Sequence, residues 1–404
     1  MTRRRFVRNG AVLGALVAAV GVSGAVTGAG RSRRGVGPYG PLLAPDRNGI
    51  QLPAGFSSRT IARTGDSVFG SSYRWHDDPD GGACFPAPDG GFVYVSNSEV
   101  GSAGGGVGAV RFAGDGRVVD AYSILSGTDW NCAGGATPWG TWLSCEESGR
   151  NGKVWECDPL GRREAIERVG LGSFNHEAAV VVEFDRTILL TEDASEGRLY
   201  RFTPNTWTDL SSGRFEAARV GSDGGVTWVD VAIDRPDRSD TTTPFDGGEG
   251  LTVDGTDVFM ATKGDRRLWH LDVAADTIRV LHDCLEHPDT SLTHVDNLLV
   301  EPLSGDLYVA EDGGNQELCV LTGRTDDDVE VAPFVRLVGH RGSEIAGQAF
   351  SPDGRTMLFS SQRGTDGRGL TYAVTGPFRG AGPATLDDSL PLGGLEPAHR
   401  TRNR

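Results

Sequence analysis

The chain has 404 residues, with 59 glycines, 39 basic and 55 acidic side chains, a formal net charge of −16 and 38% hydrophobic residues. That acidic balance excludes a protein whose main partner is a nucleic acid or an anionic membrane, since both need clustered positive charge. The apolar content excludes disorder and a bundle of membrane spans, and glycine at about twice its usual share, with no collagen period, must serve turns.

The chain opens on Thr2-Arg3-Arg4-Arg5-Phe6-Val7-Arg8 and then a weakly apolar stretch from Ala11 to Ala29. A basic start before a moderately hydrophobic run reads as an export signal, and paired arginines before Phe-Val match the twin-arginine type, which carries folded cargo. Residues 1–33 are therefore read as signal and linker, with a membrane anchor as the open alternative. The expected location is extracellular, periplasmic or cell-surface, and the export machinery is an expected partner. Cys84, Cys132, Cys145, Cys157, Cys284 and Cys319 invite a disulfide reading in an exported chain. Cys145 and Cys157 flank a glycine-containing turn and could face each other across two strands.

Beyond the signal no long segment has a helical period. Strand-like runs recur instead: Phe92–Glu99, Thr141–Glu147, Ile188–Asp193, Val258–Lys263, Leu307–Asp312 and Met357–Gln362. Marked by Ser96, Ser144, Glu192, Thr262, Ala310 and Ser360, they are separated by 48, 48, 70, 48 and 50 residues. A period near fifty with about four short strands per unit predicts propeller blades. The expectation is an all-β, single-domain, six-bladed β-propeller over residues 34–375. The long gap is assigned to a polar insertion at about 204–244 in the fourth unit. Residues 376–404, rich in Gly, Pro and Arg, read as a flexible tail, and the protein as a monomer.

In a blade, the start of the innermost strand and the end of the second emerge on one face. Polar residues fall at both places: Cys132 precedes Glu146-Glu147, Glu177 precedes Glu192-Asp193, Glu249 precedes Lys263, and Asp296 precedes Glu311-Asp312, each by 14 or 15 residues. Glu344 opens the last unit, and Asn97-Ser98-Glu99 closes the first hairpin. Singly, an acid at a strand end is usually a solvated turn residue. Sixfold closure would gather them on one axis, where like charges cannot all stay ionised without cations. Oxygen donors favour Ca²⁺ or Mg²⁺, and a thiolate among them points to a softer transition ion. An empty acidic channel or structural calcium alone stays open. His176 is either a ligand neighbour or a core histidine. Trp139 and Trp142 read as packing, and no Gly-x-Ser-x-Gly elbow points to a serine hydrolase.

The run Asn131-Cys-Ala-Gly-Gly-Ala-Thr-Pro-Trp-Gly-Thr-Trp-Leu-Ser-Cys-Glu-Glu147 resembles the signature of the PhoX-type alkaline phosphatases. So do Gly172-Ser-Phe-Asn-His-Glu177, Thr191-Glu-Asp193, Glu249-Gly250, Asp296-Asn297 and Glu344-Ile-Ala-Gly-Gln-Ala-Phe-Ser-Pro-Asp353, in the same order, between Trp75 and Gln362. The resemblance implies two oxo-bridged Fe³⁺ ions and Ca²⁺ ions in the propeller channel, hydrolysing small phosphorylated substrates. It makes Cys132 the iron-bridging thiolate, and Glu177, Glu249, Asp296 and Glu344 metal carboxylates, with Glu146 or Glu147 near calcium. Cys132, Glu177 and Glu249 would carry catalysis. Two departures stand out, besides a chain shorter than the longer phosphatases. Phe245-Asp-Gly-Gly-Glu-Gly250 has Gly247 where the family pattern has a phosphate-clamping arginine, leaving Lys263 as the candidate substrate-binding cation. Ser360-Ser-Gln-Arg-Gly364 replaces an Asn-Ile-Gln-His-Pro-Gly type run. The alternatives are a metal-holding propeller that binds a ligand without turnover, and a calcium-dependent lactonase-like hydrolase, which would not need Cys132.

Overall fold

The computed structural model describes residues 31–233, 241–301, 303–324 and 328–381. The export motif and most of the C-terminal tail lie outside them. Twenty-seven strands and two short 3-10 turns account for the regular structure of the described residues, and the strands form six sheets of at least four strands each. Blade one comprises Pro79–Pro86, Phe92–Ser98, Gly105–Phe112 and Val118–Thr128. Blade two comprises Asn131–Ala136, Trp142–Glu146, Val154–Cys157 and Ile166–Glu167. Blade three runs His176–Val182, Thr187–Glu192, Leu199–Thr206 and Asp209–Val220, with a fifth strand, Val226–Asp230. Blade four is Gly248–Asp254, Asp257–Thr262, Arg267–Asp272 and Thr277–Asp283. Blade five is Leu298–Val300, Leu307–Ala310, Glu317–Thr322 and Asp328–Leu337. Blade six takes Ile345–Phe350, Thr356–Ser361 and Leu370–Thr375 from the C-terminal end and its outer strand, Ser57–Arg63, from the N-terminal end. Inner strands of neighbouring blades touch all the way round, and the last returns to the first. The six-bladed β-propeller is the fold.

Each blade is held by apolar side chains packed between sheets. Leu189, Val180, Leu251 and Met260, for example, fill the space between blades three and four. Closure with strands from both chain ends uses paired edges instead of leaving them free to template other chains.

Four local expectations are corrected. Of the residues assigned to an insertion in the fourth unit, 204–230 belong to blade three: they end its third strand and form its fourth and fifth. Cys145 pairs with Val154, and Cys157 with Trp142, so the ladder separates the two cysteines by three positions; all six cysteines are free. The start of the tail is core. Phe378 is 3% exposed and meets Phe56 and Phe350 edge-on at 4.9 Å, while Arg379 pairs with Asp306 at 3.0 Å. At the other end, Arg31–Arg34, partly counted as linker, forms a parallel edge strand on Asp328–Leu337.

Candidate metal centre

The inner strands place the site through a shared irregularity. In blades one to four the pairing register slips at the start of the inner strand, between Pro79 and Gly82, Asn131 and Gly134, His176 and Ala179, and Gly248 and Leu251. The two residues inside each bulge are Asp80-Gly81, Cys132-Ala133, Glu177-Ala178 and Glu249-Gly250. A bulge bends its strand and re-aims a side chain, and here it does so for four ligand-type residues in succession. The second residue is small because the inner strands crowd at the axis. A Cβ on Gly81 would lie 2.5 Å from Ala133 Cα, and one on Gly250 would lie 2.7 Å from Asp296 O.

Four trios of side chains each bring one ligand atom per residue within 4.8 Å of one another: Glu99, Cys132 and Glu147; Asp80, Glu99 and Glu344; Asp296, Asp312 and Glu344; Glu177, Glu249 and Asp296. Shared members link the trios into one continuous acidic ring with a single thiol. Gln362 Nε2 bridges Asp80 Oδ2 at 2.6 Å and Glu99 Oε2 at 2.9 Å. Asn297 donates to Asp296 at 2.9 Å, and Asn175 donates to Glu147 at 2.9 Å. Asn97 holds the Cys132 bulge through the carbonyls of Cys132 (3.0 Å) and Ala133 (2.8 Å). The Cys132 thiol points at Asp80 Oδ2, 3.7 Å away. Two cations stand at the ring. Lys263 Nζ is 2.8 Å from Glu249 Oε1 and 3.6 Å from Asp312 Oδ2. Arg363 reaches Glu99 and Glu344, each at 3.7 Å.

Burial first, then mutual repulsion, raises the carboxyls of Asp80, Glu177 and Glu344 well above the usual carboxylate range. Glu249 is raised too, by burial and its acidic neighbours, although Lys263 opposes it. Glu147 is pushed up to about 8 by burial and by Asp193 and Glu99. The Cys132 thiol is raised well above its ordinary value by burial and by Asp80. Burial costs Lys263 as well, but Glu249 and Asp296 more than compensate and hold it protonated. Burial and mutual repulsion thus favour the protonated form at Asp80, Glu177, Glu249 and Glu344.

The structure brings together Cys132, Glu147, Glu177, Glu249, Asp296 and Glu344, with Lys263 beside them. It corrects Glu146. Although adjacent to Glu147, it belongs to no trio; it is 5% exposed and accepts the backbone N–H of Asp129 at 3.1 Å. Glu192 likewise turns away, accepting the Tyr200 hydroxyl at 2.8 Å. His176 is a core residue: fully buried, 3.2 Å from Gly172 O and packed on Phe174, with burial lowering it to about 3. Trp139 and Trp142 pack and donate to Glu156 and Asn97 at 2.8 and 2.9 Å. Sequence reasoning missed Asp80, and left Glu99 and Asp312 unassigned. The signal for Asp80 was present in its small successor, Gly81, which matches Cys132-Ala133 and Glu249-Gly250.

The family model for alkaline phosphatase PhoX matches residues 104–154 and 148–269, a span that contains Cys132, Glu147, Glu177, Glu249 and Lys263. Among solved structures, Pseudomonas fluorescens PhoX in complex with vanadate, a transition-state analogue, is similar with a TM-score of 0.69 and 16% identity, covering 83% of this chain and 97% of that one. A protein described as a gluconolactonase gives a TM-score of 0.47 at 14% identity, covering 84% of this chain and 99% of that one. One described as a 6-phosphogluconolactonase, from Bacteroides uniformis, gives 0.41 at 12%, covering 69% and 76%. No curated protein sequence matches. The family match runs from the third strand of blade one to the third strand of blade four, so over that part the chain is similar to the alkaline phosphatase PhoX family, and it shares the propeller of the solved PhoX structure over most of its length.

Proposed function

We propose that the chain is an exported, metal-dependent phosphatase that hydrolyses phosphomonoesters at the ring. The observation that carries this is the ring itself: eight carboxylates and one free thiol, drawn from all six blades, around one axis. The donor set fits iron and calcium. Glu177 Oε1 is buried without a hydrogen-bond partner, the oxygens suit a hard cation, and the lone sulfur suits iron. Cys132, with Glu177, Glu249, Asp296 and Glu344, would hold two ferric ions. Glu147, with Glu99 and Asp80, would hold calcium. Bound cations would polarise the phosphoryl oxygens and offset the charge that develops on them.

The chain's own residues do the rest. In the reaction water adds at phosphorus, the ester P–O bond breaks, and the alcohol leaves with a proton. Lys263 holds its ammonium at the mouth against Glu249 and donates a charge-assisted hydrogen bond to the substrate phosphate. Its backbone N–H bonds Gly247 O at 2.8 Å, so it stands beside the position where the family pattern has its arginine. Gln362 keeps Asp80 and Glu99 side by side. The twin-arginine motif, outside the described residues, supports export of the folded protein and thus loading of metal before export.

The test is hydrolysis of 4-nitrophenyl phosphate by metal-loaded protein, with Cys132→Ala as control. Turnover by the wild type and its loss in the variant are expected. No turnover of any phosphomonoester or diester by iron-loaded wild type would overturn the reading. Gly247 favours a second reading, a metal-holding propeller that binds phosphate without turning it over. That protein would retain iron and bind phosphate in the same experiment, and release none.

A further inference from the structure

The run Ser360-Ser-Gln-Arg-Gly364, which departs from the family pattern, closes the second strand of blade six at the ring. Its Gln362 bridges Asp80 and Glu99, and the next residue, Arg363, turns a guanidinium toward the same group of carboxylates. One terminal nitrogen lies 3.7 Å from Glu99 Oε2 and the other 3.7 Å from Glu344 Oε2. Both distances exceed the ~2.7–3.2 Å of an N–H···O hydrogen bond. The Arg363 side chain makes no hydrogen bond among the described residues, so its five N–H groups are unspent.

By contrast, Arg201 gives two N–H groups to the buried Glu216 at 3.0 and 2.9 Å, and Arg267 gives one to the buried Asp283 at 2.8 Å. Arg363 is held short of such contact by its backbone. Its N–H bonds Ser343 Oγ at 2.9 Å, Ser343 Oγ meets Ser361 Oγ at 2.9 Å, and His340 Nδ1 meets Ser361 Oγ at 2.8 Å. Gly364 then turns the chain at φ 53°, where a Cβ would lie 2.4 Å from Arg368 O. The backbone is fixed, while the side chain stays 42% exposed and within reach of a solute.

Arg363 and Lys263 address one pair of ring carboxylates. Asp312 and Glu344 join blades five and six in a β-bridge. Lys263 lies 3.6 Å from Asp312, and Arg363 lies 3.7 Å from Glu344. A cation from blade four and another from blade six thus flank the same stretch of the ring.

We propose that Arg363 grips the phosphoryl group of the substrate, opposite Lys263, and takes the part that the family pattern gives to an arginine at position 247. A guanidinium offers two parallel N–H groups to two phosphoryl oxygens, whereas the Lys263 ammonium is a point charge. No hydrogen bond of the Arg363 side chain has to break for it to do so. The inference rests on the phosphatase reading and adds a substrate-binding residue to that site.

The experiment titrates inorganic phosphate calorimetrically into metal-loaded wild type, Arg363→Ala and Arg363→Lys, with iron and calcium measured in each sample. KM for 4-nitrophenyl phosphate is measured alongside. Wild type should bind phosphate, and Kd should rise about 10–100-fold in Arg363→Ala, as for a lost charge-assisted pair. Arg363→Lys should fall between the two, KM should rise in step with Kd, and metal content should stay at the wild-type level. An unchanged phosphate Kd in Arg363→Ala, or no phosphate binding by wild type, overturns the proposal. Loss of metal from Arg363→Ala also overturns it, because Arg363 would then act by arranging Glu99 and Glu344. If phosphate binds wild type and weakens in Arg363→Ala while no ester is hydrolysed, the grip stands and the phosphatase reading has failed.

Discussion

Replacing Glu177 with Gln should move the stability of the metal-free and metal-loaded proteins in opposite directions. Glu177 is 1% exposed, and its ligand atom lies within 4.8 Å of those of Glu249 and Asp296. At an effective dielectric of about 20, two unit charges that close repel by ~3.5 kcal/mol. The metal-free protein escapes most of this by keeping protons, which is why burial and Glu249 raise the Glu177 carboxyl so far. A carboxyl whose folded value is raised stabilises the fold at low pH and loses that contribution as pH rises through the folded value. Metal-free wild type should therefore lose stability as pH rises above 5, with Glu147, raised to about 8, contributing to the loss within that range. Glu177→Gln keeps the shape and removes one charge, so metal-free variant should exceed metal-free wild type by about 2 kcal/mol or more at pH 9 and converge with it at pH 5. In the metal-loaded protein the same change removes a ligand, so stability and metal content should both fall. Thermal unfolding of chelated and loaded samples across this pH range measures all four cases. A variant destabilised equally at every pH in both forms would show that Glu177 is a structural residue, and the electrostatic reasoning would be wrong.

Other substitutions separate the ring from its surroundings. Lys263→Met should raise KM for a phosphomonoester about tenfold, with iron retained, since it removes one charged donor at the mouth; an unchanged KM in steady-state assays would remove Lys263 from substrate binding. Glu146→Gln should leave metal content at the wild-type level, because its oxygen serves the Asp129 N–H, whereas Glu147→Gln should lower calcium; elemental analysis of the two variants decides. Gly135→Ala places a Cβ 1.8 Å from Ala179 O, between the inner strands of blades two and three. Such overpacking should cost about 3 kcal/mol or more, and a melting temperature within about 2 °C of wild type would refute it.

The repeat was legible because the second strand of each blade ends in small or acidic residues at nearly constant spacing. The fifth-strand addition to blade three was not, since polar residues in an outer hairpin carry no alternation distinct from a loop. Most of the ring was legible from the same spacing, and its failures have local causes. Asp80 precedes Glu99 by 19 residues, not 14 or 15, in a hairpin whose strands are 8 and 7 residues long; Glu344 and Gln362 are 18 apart. Tandem acids such as Glu146-Glu147 face different ways at a strand end, and a sequence cannot say which turns inward. The Cys145–Cys157 expectation failed on register, which turn length alone does not set. Phe378 lay hidden in a Gly- and Pro-rich tail because its partners, Phe56 and Phe334, are distant in sequence and meet it only after closure.

The account stands on a thiol and a ring of carboxylates holding metal. Iron and calcium content of the protein purified after export by its own route, set beside Cys132→Ala, tests that most directly. The account predicts iron and calcium in the wild type, and iron lost from the variant. A wild-type protein free of iron, or a variant that keeps it, would contradict the assignment of Cys132 and of the centre built around it.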